Sequence, residues 1–370
     1  MDSQHLNISD ANRTRDFGDN LDFYDTPNIP EGLRFAAYIL NEHSIPILFS
    51  VGVCFNIIII ISFLSSELNR VSTCLYFVAL SFVDTAYLVQ MMVPWASQRL
   101  YNIYAVAGIC QLTYYLHYLS TFMEWWLMVL MMMERTLFLL NRKKAKVLCS
   151  PFRTKCTIIS VCVFSIVSHL YLTWTSAVIT IRHVDNCIII PENLKNIYLL
   201  RKIDSFFSFI VPSICVIAMT TVCIVKLCDK RRSLGRRPSH ASFRRTNSNQ
   251  RPSSLVPDDR GVIYLKKFNP RTFMRSERVT VTCCILSAIF LLLCVPFDSL
   301  RTRLTFEVQP DYLDQKWLEI LSVFSAFNYT CKAFVYFVVI KEFRQTVWVL
   351  LKRTISPCRN IKFSLKFHLM

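Results

Sequence analysis

Glycine is scarce: six residues in 370. No Gly-rich phosphate loop, metal-ligand spacing or nucleophile elbow appears, so nothing points to an enzyme or to a bound cofactor. No period of roughly 20–50 residues repeats, which excludes solenoids and arrays. The opening Met1-Asp2-Ser3-Gln4-His5 is polar. It has neither the basic start nor the apolar run of a signal peptide, so the first apolar segment is expected to act as the insertion signal.

What the chain has instead is apolar length. Hydrophobic residues make up 53% of it, gathered into long blocks. A bilayer core requires about 20 apolar residues per helix, and seven stretches qualify: 44–66, 73–96, 109–140, 156–181, 204–228, 279–300 and 317–340. The expected fold is all-α, a seven-helix membrane bundle spanning 44–340, preceded by a tail over 1–43 and followed by a short membrane-surface helix and tail over 341–370.

Charge orients the bundle. A formal charge of +17 would suggest nucleic acid in a soluble protein, but here the basic residues are sorted by side. With the N-terminus outside, the cytoplasmic segments hold 29 Lys and Arg and the outer segments 11. This is the positive-inside bias, and it argues for lipid rather than nucleic acid as the partner of the charge. Residues 1–43 carry eight acidic and three basic side chains, as an outer tail should. Two glycosylation sequons, at Asn7 and Asn12, lie in that tail.

Of 15 cysteines, only Cys110 and Cys187 fall at the outer face. A disulfide between them is the economical reading, with two unpaired thiols the alternative. Cys358, beyond a basic amphipathic segment, is a candidate for palmitoylation or a free tail thiol.

Ionisable groups within the spans are few: Asp84, His117, Glu124, Glu134, Arg135, His169 and Lys332. Such groups cost several kcal/mol in hydrocarbon unless paired. At ~100° per residue, Cys110, His117, Glu124 and Arg135 fall within ~40° of one another on the third span. That stripe cannot face lipid, so the third span should be central. Asn328, Lys332 and Tyr336 likewise share a face of the seventh span. Asp84, Glu124 and Lys332 sit at comparable depth.

These residues bring a family into view. The chain resembles a rhodopsin-like (class A) G-protein-coupled receptor over all seven spans. The first span has Gly52 and Asn56, and the second Leu80-Ser81-Phe82-Val83-Asp84, similar to the family's LxxxD. The third has Cys110 and, 25 residues on, Glu134-Arg135-Thr136, similar to D/E-R-Y. Pro212 lies in the fifth span, Phe290 and Pro296 in the sixth. Tyr336 and Lys341-Glu342-Phe343-Arg344 resemble the end of the seventh span and the start of an eighth helix. Six such anchors in order and at consistent spacing are specific.

The departures are also specific. Cys294 stands where most relatives carry the tryptophan of CWxP, and Lys332-Ala333-Phe334-Val335-Tyr336 replaces NPxxY. The fourth span has no tryptophan at the expected depth, and Thr220 stands where a tyrosine is usual. They touch the activation switch rather than the fold and suggest a divergent branch, of invertebrate type.

The resemblance implies an extracellular ligand and a heterotrimeric G-protein, met by Glu134, Arg135 and Thr136. His117 in place of an aspartate argues against a monoamine, and Ala326 in place of a lysine argues against retinal. The polar vestibule of His117, Asp298, Arg301, Arg303, Glu307 and Glu319, under an acidic tail, resembles a peptide-receptor mouth. Asp298 and Glu319 would pair with a basic ligand residue and Arg301 with a carboxylate; solvated loop ends are the alternative. A neuropeptide is the expected ligand. In the third inner loop, about 229–278, Arg and Ser cluster and disorder is expected. Ser239, Thr246 and Ser248 there resemble kinase sites, which implies kinases and arrestin as regulators of the loop and tail.

In many relatives a sodium ion sits mid-bundle on the aspartate of the second span. Here Lys332 is expected to take its place as a tethered cation between Asp84 and Glu124; a lysine reaching to the cytosol is the alternative. Two other functions remain open. One is a transporter or channel built on Asp84, Glu124 and Lys332, although no repeat supports it. The other is a decoy receptor that signals to nothing.

Overall fold

Backbone in hydrocarbon has no water to bond, so each apolar run must satisfy its own N–H and C=O groups, and a helix does this within one segment. The computed structural model describes residues 30–99, 102, 103, 106, 108–181, 184–189, 194–235, 277–306 and 312–355. Within these residues seven long helical spans form an antiparallel bundle.

Span one is Glu31–Leu64, a helix that passes through a π turn at Leu40–Ser44. Span two is Ser72–Arg99 and span three Ile109–Leu140. Span four, Pro151–His169, starts with a proline in its first turn and with the Ser150 side chain accepting from the Arg153 amide, a favourable helix start. Span five runs from helix Leu194–Ser205 through a π turn, Phe206–Ile210, into helix Val211–Gly235. Span six is Glu277–Phe306, with Pro296 inside it, and span seven is Tyr312–Val339. A tail helix follows at Lys341–Ile355. Arg344 Nη1 donates to the Phe337 and Val338 carbonyls at 3.0 and 2.7 Å, capping the open end of span seven.

Both π turns stand just ahead of a proline, Pro46 in span one and Pro212 in span five. Proline lacks an N–H and its ring crowds the carbonyl four residues back; a widened turn there absorbs the conflict without breaking the helix.

Span three lies at the centre, in contact with spans two, four, five and six. The interior is inverted relative to a water-soluble protein. Asp84, Glu124 and Lys332 are at most 1% exposed, while Leu292 is 74% and Val338 70% exposed. Apolar outside and ionised inside is what a lipid solvent demands.

Three sequence expectations are corrected. The first helix begins at Glu31, not near residue 44, because its charged residues hide the helical run from hydropathy alone. Glu42 is paired with Arg99 of span two, and Trp95 Nε1 donates to the Glu42 carbonyl at 3.2 Å. The helix of span four stops at His169 instead of continuing to residue 181. After a short turn of helix at Leu172–Thr175, Ser176–Ile181 is strand β1, paired antiparallel with β2, Val184–Ile189, with Val178 opposite Cys187. The β-branched run finds a strand partner there. The fold is therefore a helical bundle with one small hairpin. Among the described residues six helices are long and apolar enough to cross a membrane on length and composition alone; span three is not among them, since its polar stripe lowers its hydropathy.

Candidate functional site

The ionised core is the densest polar cluster. Span seven presents Lys332 and, one turn earlier, Asn328 to carboxylates on spans two and three. Lys332 Nζ donates to Asp84 Oδ1 at 2.7 Å and to Glu124 Oε1 at 2.5 Å, and Asn328 Nδ2 donates to the same Glu124 oxygen at 3.2 Å. The second oxygens, Asp84 Oδ2 and Glu124 Oε2, are buried without a hydrogen-bond partner. One ammonium between two carboxylates leaves −1, or zero if one carboxyl holds a proton. Burial on this scale is tolerated only when the charges meet directly. The cation that meets both carboxylates is therefore a side chain of the protein itself. Among the described residues no group of His, Cys, Asp and Glu is arranged to hold a metal.

Two residues expected in this cluster lie apart from it. Asn56 Nδ2 donates to the Tyr329 carbonyl at 3.2 Å, tying span one to span seven. Tyr336 is buried among rings, its centroid 4.6 Å from Phe77 and 5.9 Å from Phe343 of the tail helix.

Towards the far end of span three, Arg135 is enclosed. Its Nη2 lies 2.6 Å from Glu134 Oε1 and 2.5 Å from Thr73 Oγ1; Thr73 in turn donates to Glu134. The guanidinium stands 4.7 Å from the Phe138 ring, within cation–π range. Thr136 Oγ1 donates to the Met132 carbonyl and is 3.4 Å from Cys223 Sγ of span five. Glu277, at the foot of span six, pairs with Lys230 of span five at 2.5 Å. Thr220 Oγ1 donates to Ser287 Oγ at 3.0 Å, joining spans five and six. In the turn before span four, burial pushes the Cys149 thiol up to about 11, with Glu134 adding to the rise.

At the opposite end, the Cys110–Cys187 disulfide ties β2 to the start of span three, with Cα atoms 5.6 Å apart. Below it His117, Asp298 and Arg301 come together. Arg301 Nη1 is 2.9 Å from His117 Nε2, and Nη2 forms an ion pair with Asp298 Oδ1 at 3.2 Å. Trp125 Nε1 donates to Asp298 Oδ2 at 2.9 Å. The indole packs edge-on against Phe290, 4.4 Å between centroids, and against Phe209 at 5.4 Å. Cys294, one turn beyond Phe290, is buried. With a small thiol on span six, the indole at the heart of the bundle comes from span three.

The remaining expected vestibule residues are spent locally. Glu319 accepts from Lys316 at 2.8 and 3.1 Å, and Arg303 donates to Asp314 at 2.6 Å. Glu307, Asn7, Asn12, Ser239, Thr246, Ser248 and Cys358 lie outside the described residues.

The sequence did not point to several partners. Thr73 and Trp125 carry no charge, so a search for ionisable groups passes over them. Asp204 lies at the end of helix Leu194–Ser205; its Oδ1 is 3.1 Å from His169 Nε2 and accepts from Ser208 at 2.5 Å, joining spans four and five. Tyr87 and Tyr329 stack at 3.8 Å, although hydropathy treats each as ordinary core.

No curated protein matches the chain. A family model does, over residues 55–336, from the first span to Tyr336 near the end of the seventh; with seven helices and the third at their centre, the chain belongs to the 7 transmembrane receptor (rhodopsin) family, multi-pass membrane receptors rather than enzymes.

Proposed function

We propose that this receptor answers an extracellular neuropeptide and activates a heterotrimeric G-protein at the plasma membrane, with its N-terminus outside. The observation that carries the reading is the placement of Cys110 and Arg135 at opposite ends of one central helix. The disulfide end opens beside His117, Asp298 and Arg301. The other end holds an arginine sequestered by Glu134 and Thr73, ready to be exposed when the helices around it shift. The basic segments flank that second end, as the positive-inside bias requires of a cytoplasmic face.

Between the ends, Lys332 serves as a tethered cation that holds spans two, three and seven together. Its direct contact with both carboxylates supports a static clamp over an ion path, because the group that would have to be solvated for transport is already neutralised by its own neighbours.

The test is ligand-dependent nucleotide exchange on purified G-proteins, with a neuropeptide library applied to the expressed receptor. Exchange driven by one peptide upholds the reading. Ion or solute flux without exchange would favour a transporter, and tight peptide binding without exchange a decoy receptor.

A further inference from the structure

Near the disulfide end, residues of spans three, five, six and seven line an open-mouthed cavity of about 220 Å³. Its polar lining is one-sided. Arg201 of span five and Arg301 of span six face it together with the phenols Tyr118 and Tyr198 and the hydroxyl of Thr305, whose proton is spent on the Arg301 carbonyl at 2.9 Å. Leu304 and Leu318 supply an apolar wall. Among the described residues the lining holds no carboxylate. The two acids nearby face elsewhere: Asp298 is 3% exposed and occupied by Trp125 and Arg301, and Asp204 accepts from Ser208 and meets His169.

Arg301 is held rigidly, its guanidinium tied to His117 and Asp298 and lying 5.8 Å from the Tyr118 ring. Arg201 is not held in this way: its Nε is buried without a hydrogen-bond partner. A buried guanidinium N–H left unmatched is costly, and the cost is relieved by an acceptor placed in the cavity. Lys202, 4.4 Å from the Tyr198 ring, adds to the positive field.

We infer that this cavity is an anion-recognition subsite, in which Arg201 and Arg301 grip a carboxylate carried beside an aromatic or apolar group. Two guanidiniums offer forked donors that match a carboxylate's two oxygens. The volume suits about one aromatic residue, since an apolar cavity of roughly 150 Å³ accepts benzene. The subsite therefore takes one end residue or one acidic side chain of a larger ligand. This deepens the receptor reading and rests on it only for the cavity's being part of the ligand site.

The probes are N-acetyl-L-phenylalanine, its uncharged amide, and N-acetyl-L-aspartyl-L-phenylalaninamide, whose only carboxylate is on a side chain. Thermal unfolding of the purified full-length receptor is followed against probe concentration. The acid should raise the unfolding temperature with saturation, and the amide should not. A response to either acid upholds the site, and their relative strength says whether a chain terminus or a side chain is the better fit. Arg201→Gln should weaken the response about ten-fold, the loss of one charge-assisted contact, and Arg201→Lys should restore part of it. Arg201→Gln is the informative variant because Arg301 also holds Asp298 and His117, so Arg301→Gln would disturb the fold. Equal responses to acid and amide, no response to either acid by a folded receptor, or an acid response untouched by Arg201→Gln each overturn the proposal. No G-protein is present in the assay, so failure of coupling leaves this result standing, and activation by a ligand without a carboxylate would overturn it while leaving the receptor reading intact.

Discussion

Lys332 Nζ sits 2.7 Å from Asp84 on span two and 2.5 Å from Glu124 on span three, with all three side chains sealed from solvent. A mobile ion can leave such a position; an ammonium on a covalent stem cannot. Agonist affinity should therefore be insensitive to sodium. Lys332→Asn leaves two carboxylates facing each other, and breaking a buried pair costs ~3–5 kcal/mol. The variant should lose surface expression or acquire sodium dependence. Ordinary sodium inhibition of the unmodified receptor, or a Lys332→Asn variant unchanged in both respects, would defeat the tethered-cation assignment.

Thr73 links Arg135 and Glu134 across spans two and three. A hydrogen bond to a charged group contributes about 1.5–3 kcal/mol. Thr73→Val keeps the shape and removes the bridge, so basal nucleotide exchange should rise several-fold, whereas Arg135→Ala should abolish ligand-driven exchange. Basal rates that match between Thr73→Val and the parent would show that the bridge does not hold the resting state.

The disulfide fastens the hairpin to span three. Single replacement of Cys110 or Cys187 by serine should lower surface expression sharply, on the scale of the ~2–4 kcal/mol that a disulfide typically contributes. The double replacement should be no worse than either single one, because the two act as a unit. Flow cytometry of an epitope-tagged receptor measures this, and a fully expressed, ligand-responsive Cys187→Ser receptor would count against it.

At Gly52 span one packs closely against spans two and seven. A Cβ there would fall 2.5 Å from Leu88 Cδ1 of span two and 2.7 Å from Thr330 Oγ1 of span seven. Gly52→Ala should cost about 1–3 kcal/mol, typical of overpacking. Gly32→Ala, with nothing within 4 Å of the new atom, should be harmless. Unfolding temperatures of the two detergent-purified variants, compared with the parent, decide between them.

Much of this was legible in the sequence wherever one helix decides both depth and direction. Residue spacing alone aligned Cys110, His117, Glu124 and Arg135, and matching depth, together with the family's mid-bundle cation site that the resemblance implies, brought Lys332 toward Asp84 and Glu124. Legibility ended where a second element makes the choice. Ser176–Ile181 is as apolar as a membrane helix; only its pairing with Val184–Ile189 makes it a strand. Arg201 stands ahead of the π turn at Phe206–Ile210, which shifts the register of its helix, so counting residues does not show that it shares a cavity with Arg301. Asp298 was expected to wait for a basic ligand, but Trp125, 173 residues earlier, already donates to it, a long-range match that no local pattern signals.

That indole has a use beyond packing. Trp125 is 1% exposed, and of the six tryptophans the other five are at least partly open to the surroundings. Its ring leans on span six through Phe290, and its N–H is bonded to a carboxylate on the same span. Any excursion of span six must change the ring's polarity and its quenching. The receptor thus carries its own optical gauge: with the five outer tryptophans replaced, ultraviolet emission would report the position of span six in unlabelled protein, in real time.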